Sequence, residues 1–274
     1  MTKTKLPVSP AAVLGILEEL RETAAEDKPL VVSGSRELVA VLARELTRGG
    51  VASAVREQGP VEEAAAVVHV VAGAPDGDDE KLFKQAAKAR VPLVVVVAGP
   101  IDPGHIRYVS DRNVVRAGSA MPVEEIATRL AAALGEAGTP LAARLPVLRR
   151  PVCEELVRKF SRQNALVGIA PLRRGPDMPV LTVNQVRLIL RIADAYGFEI
   201  DKERLPEVLA VFGSGFGFRK FARRGAELVP VLGWALKGAV AYAGTRALGE
   251  AAMRYFERRA PVTRVAGART LFPR

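Results

Sequence analysis

The chain has 274 residues, 26% charged and 49% hydrophobic, with a single cysteine, Cys153. A chain of this length buries a substantial core and has room for two domains, and one cysteine excludes an intrachain disulfide framework. The net charge of +10 is uneven: residues 1–140 hold 16 basic and 19 acidic side chains and residues 141–274 hold 24 and 11, so the two parts stand at −3 and +13.

The opening MTKTKLPVSP lacks the basic, apolar and small-residue regions of a secretory leader, which places the expected site of action in the cytoplasm. Residues 10–26 read as an amphipathic helix, with Val13, Leu14, Ile16, Leu17 and Leu20 apolar, Ser9 as N-cap and Pro10 in the first turn. Short β-branched runs then alternate with helical patterns. Strands are expected at Leu30–Ser33, Ala52–Glu57, Ala66–Ala72, Pro92–Ala98 and Asn113–Ala117, and helices at about Arg36–Arg48, Asp78–Ala89 and Pro122–Leu134. The runs VVHVV and PLVVVVA are apolar on both faces, as strands covered on both sides must be. The alternation therefore predicts an α/β domain over 1–140 with a doubly wound, mostly parallel five-stranded sheet.

Residues 136–150 turn to Gly, Pro, Ala and Arg, and 141–150 is expected to be a linker. An all-α domain is expected over 151–259, with helices at about Val152–Gln163, Leu181–Tyr196, Lys202–Val211, Phe218–Leu228 and Val231–Arg258, and with Gly197 closing the second of them. Residues 260–274 lack periodicity and read as a mobile basic tail.

Within the helical part, Leu228 to Gly249 read LVPVLGWALKGAVAYAGTRALG. As a helix this run lines Gly233, Gly238, Ala241, Thr245 and Gly249 along a stripe where another backbone can approach. Its uninterrupted part, 228–245, is about 27 Å long at ~1.5 Å per residue, just short of a hydrocarbon core of about 30 Å. Its large apolar residues favour insertion by about 2–3.5 kcal/mol and a central Lys237 opposes it by about 2.5–3.5, which is near break-even. The run is therefore either a packed core helix or a membrane-inserting one, and its small face also suits a homo-oligomer. The basic clusters Arg219, Lys220, Arg223, Arg224 and Arg254, Arg258, Arg259 flank apolar segments instead of interleaving with aromatics. That arrangement favours an anionic membrane surface over nucleic acid.

Chemistry is sparse. In an open parallel sheet, ligands bind at the carboxyl ends of the strands. The first such turn, Ser33-Gly34-Ser35-Arg36, reads first as a capped helix start, although its free N–H groups also suit an anion. Neither G-x-x-x-x-G-K-[ST] nor G-x-G-x-x-G occurs, so no lysine is aimed at phosphates and no hydroxyl is placed for Mg²⁺. His69 lies in an apolar strand and reads as a hydrogen-bonded core histidine. Asp76, Asp78, Asp79 and Glu80 form an acidic helix start that suits the dipole. No cluster has metal-ligand spacing, so neither a metal nor another cofactor is expected.

The order of a strand and helix, VVHVVAG, a helix, VPLVVVVAGPID and VVRAGSAMPVEEIATRLAAAL resembles a GTPase domain. In that family an Asn-Lys-x-Asp motif and a later Ser-Ala pair read guanine. The resemblance puts Asp102 at the guanine-binding Asp and Ser119-Ala120 at the Ser-Ala pair, while Gly99 and Pro100 replace the Asn and Lys. The Walker lysine, the switch threonine and the Asp-x-x-Gly are missing, so the resemblance implies a degenerate, catalytically silent domain. A flavodoxin-like or receiver-like fold accounts for the same alternation.

The segments MPVLTVNQVRLILRIADAYGFEID, LAVFGSGFGFRKFARRG and LVPVLGWALKGAVAYAGTRALGEAAMRYFE resemble domain-of-unknown-function family 697, a helical module associated with GTPase domains. Gln185, Tyr196-Gly197, Pro230, Gly233, Gly238, Thr245 and Gly249 match its pattern, and the resemblance covers about residues 165–257. The two resemblances imply a non-catalytic accessory protein of a GTPase system, with a GTPase partner, attached to the cytoplasmic membrane through its helical domain. The alternative is a soluble regulatory module that binds a nucleotide or phosphorylated ligand near Ser35, Asp102, Ser119 and Ala120.

Overall fold

The computed structural model describes residues 10–25, 28–100, 104–118, 120–169, 177–199, 218–260 and 269–270, without the side chains of 218–236. The chain divides into two compact units. One runs from Ala24 to Val152, and the other joins most of the N-terminal helix α1 (Pro10–Ala25) to the helices that follow Cys153.

The first unit is built on five parallel strands, β1 (Leu30–Gly34), β2 (Val55–Glu57), β3 (Ala66–Ala72), β4 (Leu93–Ala98) and β5 (Val114–Ala117). Their order is β2-β1-β3-β4-β5. This is the doubly wound order of flavodoxin-like sheets. Helix α3 (Gly77–Ala89) sets Phe83 and Ala86 on Val31, Val67, Val71, Val95 and Val97. A 3₁₀ turn at Val61–Glu63, capped by Ala64, and the loop carrying Ile106 and Val109 close the same face. The intervening strand residues Leu30, Val32, Val68, Val70, Val94 and Val96 are buried on the opposite face, where α2 (Arg36–Thr47) and α4 (Val123–Leu134) pack. Burial on both faces is why these runs carry no polar alternation. The second strand is shorter than expected, because Ala52–Ala54 forms a 3₁₀ turn ahead of it.

The expected linker at 141–150 is helix instead, divided between α5 (Thr139–Arg144) and α6 (Pro146–Ile169). Leu141, Ala142, Ala143, Leu145 and Leu148 are buried, and Arg144 donates through Nη2 to the Lys28 carbonyl at 2.6 Å. Pro140 and Pro146 sit in first turns, where a missing N–H costs no helical bond, so the prolines mark helix starts where composition suggested a break.

The second unit contains α1, most of α6, α7 (Asp177–Ala195) and α8 (Phe218–Glu257), together with β6 (Phe198–Glu199) paired in parallel to β7 (Arg269–Thr270). Helix α8 is continuous through Pro230, where the sequence predicts two helices; the proline forfeits one backbone donor in a helix of 40 residues. Gly197 follows α7 with φ +79°, a conformation glycine adopts without strain, and its N–H reaches the Asp194 carbonyl at 2.7 Å. Asn184 Nδ2 donates to Asn164 Oδ1 and Asn164 Nδ2 to Thr245 Oγ1, both at 2.8 Å, a polar ladder across α7, α6 and α8. On α1, Ile16, Leu17 and Leu20 are buried, and Glu19 accepts from Arg187 at 2.5 Å and from Arg191 at 2.7 Å. The helix expected at 202–211 and most of the expected tail lie outside the described residues. Among the described residues, no helix is long and apolar enough to cross a membrane.

Candidate functional site

Where the sheet order reverses, between β1 and β3, the connections leave to opposite faces and open a crevice at the carboxyl edge. Four strands end there on a small residue followed by glycine: Ser33-Gly34, Ala72-Gly73, Ala98-Gly99 and Ala117-Gly118. At Gly34, φ is +107° and a Cβ would fall on the Val70 carbonyl, so only glycine lets the chain cross β3. The next amide, that of Ser35, then donates to that carbonyl at 2.9 Å. Around Gly99 and Gly118 the reverse holds, because among the described residues a Cβ at either would meet no atom within 4 Å. The edge is therefore tight at the crossing and open towards β4 and β5.

Ser35 occupies the N-cap position of α2 without a side-chain capping bond, which leaves the first-turn N–H groups to solvent or a ligand. Ala120 is exposed beyond β5. Asp102 and Ser119 lie outside the described residues. From β1 to β5 is three strand spacings, about 14 Å at ~4.8 Å each, so Ser35 and Ala120 stand well apart along the edge, with β2 beyond Ser35.

Beneath the crossing lies a constellation that the linear sequence hides. Ser33 and His69 are directly paired across β1 and β3, and Ser33 Oγ is 2.8 Å from His69 Nδ1. His69 Nε2 is 2.7 Å from Asp79 Oδ1 on α3. An ionised carboxylate can only accept, which assigns the proton to Nε2 and leaves Nδ1 to accept from the Ser33 hydroxyl. Phe83 meets the imidazole edge-on with ring centroids 5.4 Å apart. Asp79 Oδ2 also accepts from the Asp76 N–H at 2.9 Å, while the Asp76 carboxylate accepts from the N–H groups of Asp79 and Asp78, a reciprocal capping box. Those two amide bonds, Asp79's first, hold the Asp76 carboxyl below its ordinary pKa.

Serine, histidine and aspartate are the residue types of a hydrolase triad, but Ser33 is 4% exposed and His69 5%. A hydroxyl so enclosed offers no approach to an electrophile. The chain of bonds instead ties β1, β3 and the start of α3 together directly below the edge. Among the described residues, no group of His, Cys, Asp or Glu is placed to hold a metal. Cys153 is buried.

In the helical unit, the small residues of α8 meet the chain's own helices. A Cβ on Gly238 would meet Ile169 and the Ala165 carbonyl, one on Gly168 would meet Ala241 and the Lys237 carbonyl, and one on Gly249 would meet Val157 and Leu188. Thr245 is fully buried beside Asn164. This part of the small face is filled within the chain. Gly233, Arg219, Lys220, Arg223 and Arg224 fall where side chains are not described. Arg254, Arg258 and Arg259 are exposed at the end of α8, with the Arg259 guanidinium 3.8 Å from the Tyr255 ring centroid.

No protein-family model matches the chain, and no curated protein matches it.

Proposed function

We propose that this chain is a non-catalytic regulatory protein that binds a nucleotide or another phosphorylated ligand along the carboxyl edge of its parallel sheet. It serves as an accessory factor in a GTPase system, in the cytoplasm or at the cytoplasmic membrane surface. The observation that carries the reading is the glycine-floored edge at the β1/β3 reversal, with open space over Gly118 and the uncapped start of α2 at its other end. The silent chemistry follows from a sequence without a phosphate-loop lysine and from an enclosed Ser33. The GTPase partnership is supported by the two resemblances in the sequence.

Thermal unfolding of the full chain with GDP, GTP or pyrophosphate tests this. Ligand should raise Tm, and no phosphate should be released above a protein-free control. Gly118→Leu puts a side chain where a Cβ meets no described atom within 4 Å, so it should abolish the ligand shift and leave the unliganded Tm unchanged. A Tm indifferent to every phosphorylated ligand would overturn the reading, as would a shift that survives Gly118→Leu. Phosphate release lost in that variant would replace it with an enzyme.

A further inference from the structure

Large apolar side chains are left in solvent at one end of the helical unit. Leu166 is 69% exposed, Ile169 44% and Val180 43%. The first two lie on the last turns of α6 and the third in the first turn of α7. Gly249 lies against both Val157 and Leu188, and Asn164 bonds Asn184, so α6 and α7 run antiparallel and these residues share an end. At ~1.5 Å per residue, Ile169 stands about 7.5 Å beyond the Asn164–Asn184 bond and Val180 about 6 Å beyond it.

The charge beside this end is mostly basic. Residues 156–177 contain five basic side chains, Arg158, Lys159, Arg162, Arg173 and Arg174, against one acidic, Asp177. Arg158 and Arg162 are exposed on α6, two turns and one turn before Leu166 respectively, and Arg158 also bonds Glu155. Lys237 of α8 is exposed too, and its backbone carbonyl touches Gly168. Helix α8 then continues N-terminally to Phe218, carrying the apolar stretch 228–236 past the crossing.

We propose that this α6–α7 end is a lipid-docking site for an anionic bilayer surface. Leu166 and Val180 enter the interface beside Ile169, whose side chain also packs at Gly238, and Arg158, Arg162 and Lys237 meet the headgroup phosphates. Apolar tips ringed by long cationic side chains suit that boundary, because the stems lie against acyl chains while the charges stay at headgroup level. Arg158, Arg162 and Lys237 are all exposed, on two helices beside the apolar tips, which leaves them free to meet headgroups. The docking site deepens the membrane-surface placement proposed above and is independent of the ligand edge.

The experiment is sedimentation of the full chain with vesicles of phosphatidylglycerol and phosphatidylcholine, or of phosphatidylcholine alone, at 0.1 M salt. Wild type should bind the anionic vesicles and bind neutral ones poorly. Leu166→Glu with Val180→Glu, both exposed positions, should reduce the partition coefficient at least tenfold without lowering Tm. Arg158→Gln with Arg162→Gln should reduce it roughly ten- to thirty-fold. If wild type binds anionic vesicles and both variants bind equally well, the protein is peripheral through another surface and this site is wrong. If wild type binds no vesicles, both the site and the membrane placement fall. A soluble dimer that Leu166→Glu with Val180→Glu dissociates, without vesicle binding, would assign this end to a second copy of the chain.

Discussion

His69 shows what a single residue can conceal. Its burial in an apolar strand is legible from the flanking valines, but its partners are not. Ser33 comes alongside only because β1 and β3 pair in that register, and Asp79 looks in sequence like one more acid at a helix start. We expect His69→Leu to destabilise the chain by about 1–3 kcal/mol in urea unfolding, because the enclosed Ser33 hydroxyl loses its partner while the volume is roughly kept. Ser33→Ala on top of it should recover the part of that loss due to the Ser33 hydroxyl, while Asp79 still lacks the imidazole. Full stability of His69→Leu alone would show that the relay contributes nothing.

At the level of elements, the sheet was legible and the helices less so. Strands such as Leu93–Ala98 are continuous β-branched runs bounded by glycine, a pattern that no amphipathic helix produces. The errors fell on proline: Pro140 and Pro146 start helices, and Pro230 sits inside one. The candidate ligand site was half legible, since a carboxyl-edge location follows from any parallel sheet, whereas the open and blocked glycines along it depend on strand order. Helix α8 gives a paired test. A Cβ on Gly249 meets Val157 and Leu188, whereas one on Gly244 meets nothing within 4 Å. Gly249→Ala should therefore cost about 1–3 kcal/mol, and Gly244→Ala should add about 0.4–1 kcal/mol by restricting the unfolded chain. Equal shifts in Tm for the two would mean that α8 is rotated from the orientation described.

On the scale of the molecule, one unit is drawn almost wholly from Ala24–Val152, whereas the other joins residues before Ala24 to those from Cys153 onward. A fragment of residues 24–152 should unfold cooperatively by calorimetry, whereas a fragment from 153 onward should be measurably less stable than the same segment supplied with α1. Loss of cooperativity in the first fragment would refute the division. Glu19 and Arg187 stand 168 positions apart, and Arg191 is 4% exposed. On the ribosome, at ~5–20 residues per second, α1 emerges roughly 8–34 s before the arginines that receive it. For that interval Ile16, Leu17 and Leu20 have no surface to settle on, while the sheet that follows can already close. The apolar face of α1 thus waits, during synthesis, for a partner surface that is made only after the whole sheet.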